Sequence, residues 1–299
     1  MEFPLDLGNF DVATYFVWGG SGDVFNALVH SEKILRNSTF DLIIRDDHLE
    51  LVGALVGNFQ TKPRMVYTVP EDKHATIQEA LYADPANFYR GPIMRHDPPG
   101  IRHLWADPGD WDHCNPLAHG DIDCWRHYFK SLVVQNSLPP MSIIFFPNAV
   151  SHPNKTFEIE NLATWILNQG HHTGGLFVNV RPNESFEAYL KVGLTPLYMG
   201  HRDLLSNVYK LGSRVMLVGT RSGVFDLIRY SDSFAYIGME LEWVKNTPSW
   251  RMMYLENRLY LQEELICSAE NIGDQAEKFG SFYSAFLMLD RIGERFKNL

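Results

Sequence analysis

The fold follows from one stretch of the sequence, Val17-Trp18-Gly19-Gly20-Ser21-Gly22-Asp23-Val24-Phe25-Asn26-Ala27-Leu28. An apolar run over 12–18 precedes the glycines and an amphipathic segment over 23–35 follows them, so the pattern predicts a strand, a tight turn and a helix. Glycine tolerates positive φ and close approach to a bound group. The first amides of a helix suit an anion or an oxygen-rich ligand. The sequence therefore predicts a binding loop at Gly20, Ser21 and Gly22.

Asp23 falls in the first turn of the predicted helix, where a carboxylate is electrostatically favoured. One interpretation is that Asp23 only caps the helix. The other is that it has a functional role at the turn. The spacing alone leaves both interpretations open.

Strands and helices alternate along the rest of the chain, which predicts parallel sheets with helices on their faces. A Pro-rich linker at 136–140 separates two such series, so we expect an N-terminal domain over 1–138 and a C-terminal domain over 139–299. We expect the last helix, within 275–296, to pack back on the first domain. The predicted strands are 12–18, 40–45, 64–70, 141–147, 174–180, 194–199, 213–219 and 234–237. The other predicted helices are 46–56, 76–82, 121–135, 157–169, 184–191 and 201–209.

The segment over 84–121 is rich in proline and glycine and is predicted to be a long ordered loop. Histidine and cysteine, which can bind zinc or iron, occur within it and just after it. Their spacing matches no paired ligand signature, so the sequence predicts packing and loop hydrogen bonds here and no metal. These residues are His113, Cys114, His119, Cys124 and His127.

Composition limits the class of protein. The 299 residues carry a formal net charge of -10, which argues against nucleic acid as a partner because nucleic-acid binding usually needs a basic surface. Three cysteines give no disulfide framework and fit a reducing compartment. The first residues lack the pattern of a signal peptide, and no apolar run reaches the length of a membrane span. We therefore expect a cytoplasmic protein.

A second strand-turn-helix pattern runs from 213 to 228 and contains Arg221, Ser222 and Gly223. The amides at the helix start and the Arg221 guanidinium could together bind a pyrophosphate. The alternative is a structural ion pair of Arg221 with Asp226 or Asp232. The pattern does not choose between them.

Two αβ halves of similar size have the outline of a GT-B glycosyltransferase. Gly20 to Phe25, followed by Ala27-Leu28, resembles the first turn of the heptosyltransferase-like family-9 glycosyltransferases, and this resemblance implies that Asp23 is the catalytic base. The strand over 144–149 and the following Asn154-Lys155-Thr156-Phe157 resemble the family's strand, loop, lysine and helix. On that resemblance Lys155 binds a donor phosphate.

The segment over 201–227 resembles the nucleotide-sugar site of the same family. That site usually has an aspartate, a serine or threonine and a glycine, with a histidine three residues on. This chain has Arg221, Ser222, Gly223 and Asp226 instead, which leaves open a different sugar or a more distant GT-B family. A further donor-binding candidate is Arg181, which follows the strand at 177–180.

The resemblance implies an α/β fold of two Rossmann-like domains facing a cleft. It implies an inverting, metal-independent transfer of a hexosyl- or heptosyl-type sugar from a nucleotide-sugar donor to a glycan or lipid-linked saccharide acceptor, in cell-surface polysaccharide synthesis. No cofactor is expected beyond the nucleotide-sugar, which is a substrate. A lipid-linked acceptor would add peripheral contact at the inner membrane face.

Two other functions stay open. An NAD(P)-dependent oxidoreductase is compatible with Gly20 and Gly22, but the third glycine of its fingerprint is replaced by Phe25, and only Asp46 or Asp47 could supply the acidic residue after the second strand. A non-catalytic, GT-B-like sugar-binding subunit would keep the fold without turnover, and the departures at Arg221 and Asp226 allow it.

Overall fold

The computed structural model describes residues 11–83, 100–104, 119–147, 159–170, 172, 174–181, 184–220, 222–228, 230–239, 279–280 and 283–288. The chain divides into two compact units, Met1–Trp125 and Arg126–Leu299. This division falls inside a helix, and the predicted boundary after residue 138 stays a prediction.

The first unit is an α/β structure whose described strands form one parallel sheet. The elements of this unit are β1 Ala13–Val17, α1 Ser21–Leu35, β2 Phe40–Arg45, α2 Leu49–Val56, β3 Val66–Val69, α3 Glu71–Ala83 and β4 Gly100–Leu104, and α4 His119–Ser131 leads into the second unit. The strand order is β3-β2-β1-β4. Asp46–His48 forms a 3-10 turn between β2 and α2.

The central strands β1 and β2 are buried on both faces, as parallel strands covered by helices must be. On one face Phe16 and Ile43 pack against Ile77 and Leu81 of α3. This core fixes α3 over the sheet and brings its first turn close to the end of β1.

The prediction of a continuous loop over 84–121 is wrong at β4. Gly100–Leu104 pairs in parallel with β1, from Ala13↔Gly100 to Val17↔Leu104. Within this strand only Ile101 and Leu104 are apolar, so its own pattern is weak, and the pairing with β1 defines it. The flanking segments 84–99 and 105–118 lie outside the described residues.

The elements of the second unit are β5 Ser142–Phe146, α5 Ile159–Gln169, β6 Leu176–Asn179, α6 Glu187–Lys191, β7 Thr195–Leu197, α7 His201–Leu211, β8 Val215–Thr220, α8 Gly223–Leu227 and β9 Phe234–Met239. Its described strands form a second parallel sheet with the order β7-β6-β5-β8-β9. Strand and helix alternate through this unit as the sequence predicts, which confirms the α/β fold class. The facing arrangement of the two domains stays a prediction.

The described part of the last predicted helix belongs to the core of the second unit. Residues 279–280 and 283–288 are helical, and Phe279, Tyr283 and Phe286 are buried in the same cluster as Ile166 and Tyr236. Spacings of four and three residues place these three rings in one stripe, and the stripe packs into the core of the second unit. The predicted packing of this helix on the first domain stays a prediction.

The predicted linker is bound to α7 by hydrogen bonds that are partly or fully buried. The Asp203 carboxylate accepts the backbone N–H groups of Gln135 and Asn136, each at 3.1 Å. Asn207 accepts the N–H of Leu138 at 2.9 Å and donates to the carbonyl of Asn136 at 2.7 Å. Segment 135–138 is therefore fixed to the second unit. In the part of the chain that the structure describes, no helix combines the length and apolarity needed to cross a membrane.

Candidate functional site

Each sheet has a point where the strand order reverses, and in open parallel sheets ligands bind at the carboxyl ends of the strands at such a point. In the first sheet β2 and β3 lie on one side of β1, and β4 lies on the other. In the second sheet β6 and β7 lie on one side of β5, and β8 and β9 lie on the other. The glycine turn directly follows β1 and the predicted donor turn directly follows β8. Both sequence-predicted loops therefore lie at reversal points.

The glycine turn has one residue in the left-handed region. Gly19 has φ of 97°, whereas Gly20 is extended at φ −79° and ψ 178° and precedes α1. Gly22 is the second residue of α1. A Cβ on Gly19 would lie 2.4 Å from Asp23 Oδ2, so both backbone conformation and space require glycine there. The sequence interpretation left Gly19 out of the site, although the paired glycines after the strand could have indicated it.

Asp23 is exposed and is held at the start of α1. Its Oδ2 accepts the backbone N–H of Gly20 at 2.8 Å. The carbonyl of Gly20 accepts the N–H of Val24 at 3.0 Å. The prediction that Asp23 caps the helix is thus confirmed. Because the carboxylate also faces solvent, the cap leaves it accessible to a substrate.

His74 lies beneath the glycine turn, and the sequence interpretation did not include it. Its Nε2 is 3.0 Å from the carbonyl oxygen of Val17, and 5% of the residue is exposed. A carbonyl only accepts, so Nε2 carries the proton and donates. Burial is the main cause of a lowered pKa of His74, which keeps the imidazole neutral near pH 7. The contact spans 57 positions of sequence, and no local pattern could have indicated it.

The ends of β2 and β3 carry an ion-paired group instead of a ribose-binding acid. Arg45 Nε and Nη2 donate to the two carboxylate oxygens of Asp47 at 2.5 and 2.6 Å, and Nη1 donates to Glu71 at 3.2 Å. Phe25, at the position of the third fingerprint glycine, is fully buried. Both features argue against dinucleotide binding at this turn.

In the second unit the last residues of β8 lie close to the end of β5. A Cβ on Gly219 would lie 2.2 Å from the carbonyl oxygen of Phe146, so the two central strands need glycine where they end. Ser222 is extended and precedes α8. This helix has five residues, too few for a large macrodipole, so any anion would depend on local amides and side chains.

The remaining predicted donor-binding residues differ in their exposure, and two of them lie outside the described residues. Asp226 is 5% exposed within α8, and Arg181 is exposed after β6, where its N–H donates to Glu184 Oε2 at 3.0 Å. Lys155 and Arg221 lie outside the described residues. Of the two acids considered as partners of Arg221, Asp232 lies 3.9 Å from Arg126 Nη2.

Metal ligation was considered for the histidines and cysteines around 113–127. His113, Cys114 and the side chain of His119 lie outside the described residues. Cys124 is an exposed free thiol. Among the side chains that the structure describes, no group of three His, Cys, Asp or Glu is arranged to hold a metal ion.

Neither a protein-family model nor any of the curated proteins matches the chain. Three solved structures resemble it. ADP-heptose LPS heptosyltransferase II from E. coli shows 12% identity and a TM-score of 0.48, over 94% of this chain and 99% of that chain. The iron-containing dodecameric glycosyltransferase TibC from enterotoxigenic E. coli H10407 shows 11% identity and a TM-score of 0.42, over 78% of this chain and 59% of that chain.

A candidate UDP-N-acetylglucosamine 2-epimerase from Listeria monocytogenes shows 9% identity and a TM-score of 0.40, over 76% of this chain and 79% of that chain. The first two structures are glycosyltransferases, the class that the sequence resembles. At these identities and TM-scores, the likenesses carry no activity, donor or partner over to this chain.

Proposed function

We propose that the protein is a GT-B-type glycosyltransferase that moves a sugar from a nucleotide-sugar to a glycan or lipid-linked saccharide acceptor. One observation carries the proposal: the glycine turn with Asp23 and the Ser222-Gly223 turn each leave a central strand at the reversal point of its sheet. Those are the positions where open parallel sheets bind ligands. Cell-surface polysaccharide synthesis at the cytoplasmic membrane face is the setting that such an acceptor implies.

In the proposed reaction Asp23 is the general base. Its carboxylate takes the proton of an acceptor hydroxyl, the acceptor oxygen forms a bond to the anomeric carbon, and the bond from that carbon to the nucleoside diphosphate breaks. Attack opposite the leaving group inverts the configuration. The exposure of Asp23 supports this role, and its hydrogen bond from Gly20 holds the carboxylate in one place.

The leaving diphosphate gains negative charge, and fixed positive groups must stabilise it in a transfer that uses no metal. We assign this role to Lys155, Arg221 and the amides of Ser222 and Gly223, with Arg181 as a further cation after β6. Asp226 is buried within α8, and its predicted place on the donor side stays a prediction.

The proposal is tested by hydrolysis of ADP-, GDP-, UDP- and CDP-sugars without an acceptor, measured as release of the nucleoside diphosphate. We expect one donor class to be hydrolysed. Asp23→Asn should lower kcat by about 10²- to 10⁴-fold, the usual contribution of a general base, with little change in donor affinity. Asp46→Asn is the matched control, because Asp46 is also exposed and follows the neighbouring strand of the same sheet.

Other outcomes would reject the proposal. Donor that binds tightly but is never consumed, with or without saccharides, would indicate a sugar-binding subunit. Hydride transfer to or from NAD(P) would indicate an oxidoreductase. Equal losses in Asp23→Asn and Asp46→Asn would remove Asp23 from the base role.

A further inference from the structure

The hydrogen-bond ladder between β1 and β2 ends just before the glycine turn. Its register runs from Ala13↔Phe40 to Phe16↔Ile43, whereas the ladder between β2 and β3 continues to Arg45↔Val69. At Val17 the backbone therefore leaves β2. The carbonyl of Val17 accepts the Nε2–H of His74 at 3.0 Å. At this position a side-chain hydrogen bond therefore replaces the backbone hydrogen bonds of the β1–β2 ladder.

The imidazole of His74 is held rigidly enough to fix that carbonyl. Its ring stacks on Phe16, with ring centroids 4.3 Å apart and an interplanar angle of 28°. Its backbone N–H donates to the carbonyl of Pro70 at 2.8 Å, which places it in the first turn of α3. Phe16 is fully buried in the core between the sheet and α3, so the stacked ring has little freedom.

The position of Val17 is passed on to Asp23 within a few residues. Only Trp18 separates Val17 from Gly19, whose φ of 97° defines the turn. The next amide, that of Gly20, binds the Asp23 carboxylate. We propose that His74 is a positioning residue, which sets the glycine turn through the Val17 carbonyl and thereby fixes the Asp23 carboxylate. This inference rests on the proposed base role of Asp23.

The charged groups that face His74 leave its imidazole neutral, so that Nε2–H remains the hydrogen-bond donor. Burial has the largest effect on the pKa of His74 and lowers it, whereas the hydrogen bond to the Val17 carbonyl raises it. Among the charged groups, Arg45 lowers this pKa, and Asp47 and Glu71 raise it. Arg45 is itself neutralised by the same two acids. The neutral imidazole with the proton on Nε2 is therefore the working form near pH 7.

Two substitutions separate the hydrogen bond from the packing. His74→Phe keeps a stacked ring on Phe16 and removes the donor, whereas His74→Gln keeps an N–H donor at the reach of Nε2 and removes the ring. Leu81→Ala, another change in the α3 core, controls for a general loss of stability. Hydrogen exchange is measured over 18–24, with β2 as the reference, and donor hydrolysis is measured on the same samples.

We expect His74→Phe to speed exchange over 18–24 about tenfold relative to β2. A tenfold change in the opening equilibrium corresponds to about 1.4 kcal/mol, which is similar to the contribution of one hydrogen bond. We expect the same variant to lower kcat at least tenfold at unchanged KM for the donor, and His74→Gln to restore both values to within about threefold. Leu81→Ala should speed exchange over 18–24 and in β2 equally.

Equal acceleration of exchange over 18–24 and in β2 by His74→Phe would show a purely structural histidine and overturn the proposal. Faster exchange at the turn with unchanged kcat would also overturn it. If the wild type hydrolyses no donor, the proposed function fails, and the exchange measurement still decides whether His74 positions the turn.

Discussion

Replacing Gly19 by alanine should destabilise the first unit through two effects that the structure separates. A residue with a Cβ at φ 97° costs about 1–2 kcal/mol. The new Cβ would also lie 2.4 Å from Asp23 Oδ2, so the carboxylate must rotate away from the Gly20 amide. Loss of that cap costs about 1 kcal/mol. We expect Gly19→Ala to lower the free energy of unfolding by about 2–3 kcal/mol.

The assay is hydrogen exchange of the β1 amides in mild denaturant, which reads the unfolding of the first unit separately from the second. Gly170→Ala is the control for the conformational cost, because Gly170 has φ of 66° and no neighbouring atom within 4 Å of a Cβ. There we expect only about 1–2 kcal/mol, read from the β5 amides of the second unit.

A double substitution tests the clash itself. Asp23→Ala alone should cost about 1 kcal/mol, and Gly19→Ala with Asp23→Ala should cost no more than Gly19→Ala alone, because the cap is lost once. If the losses in free energy of unfolding of the two single variants add fully in the double variant, alanine at 19 leaves the Asp23 cap intact, and the expected clash is wrong.

Four further predictions concern buried polar groups. Tyr283→Phe should leave the free energy of unfolding unchanged or raise it by up to about 1 kcal/mol, because this buried hydroxyl has no hydrogen-bond partner in the described part of the chain. Tyr209→Phe should lower it by about 1 kcal/mol, because that hydroxyl donates to a carbonyl at 3.1 Å. Asn207→Ala should lower it by about 2–4 kcal/mol, because linker groups buried against Asn207 lose their partners. Burial lowers the pKa of His74 below its ordinary 6.5, so the unfolded chain binds more protons in acid, and stability should fall as the pH drops below 6.5; His74→Gln should make that fall shallower.

Urea unfolding and hydrogen exchange at several pH values give all four results. Ser131→Ala, which removes an exposed hydroxyl, is the control for Asn207→Ala and should change stability by less than about 0.5 kcal/mol. Equal losses in the two tyrosine variants would mean that Tyr283 has a partner. A pH dependence that His74→Gln leaves unchanged would assign the acid loss to other groups, such as His172, whose pKa burial also lowers.

The strands with continuous apolar runs could be predicted from the sequence to within a few residues. Residues 42–44 and 143–146 are apolar and buried, and strands that are covered on both faces contain such continuous apolar segments. β4 could not be predicted in this way, because its pairing with β1 defines it and its composition does not. The carboxyl ends of β1 and β8 could be predicted as loop sites because glycines follow both strands.

The internal geometry of the site depends on contacts that are distant in sequence. The glycine cluster indicated the turn, but the structure assigns the positive φ to Gly19 and the extended backbone to Gly20. Two helices, a 3-10 turn, two strands and their connections separate Val17 from His74 in the sequence. A local pattern carries no information on such a contact, so hydrogen-bond partners require the fold.

The proposed reaction requires that the second unit binds a nucleoside diphosphate at the turn after β8. The most direct test is the shift in melting temperature with ADP, GDP, UDP and CDP, with NAD and NADP alongside, for the wild type, Arg221→Ala and Lys191→Ala, an exposed cation of α6. At about 100 times its dissociation constant, a ligand stabilises the native state by about 2.7 kcal/mol. We predict that one diphosphate shifts the wild type and Lys191→Ala but not Arg221→Ala. If only NAD or NADP shifts the melting temperature, or if none of the ligands does, the proposed donor site is wrong.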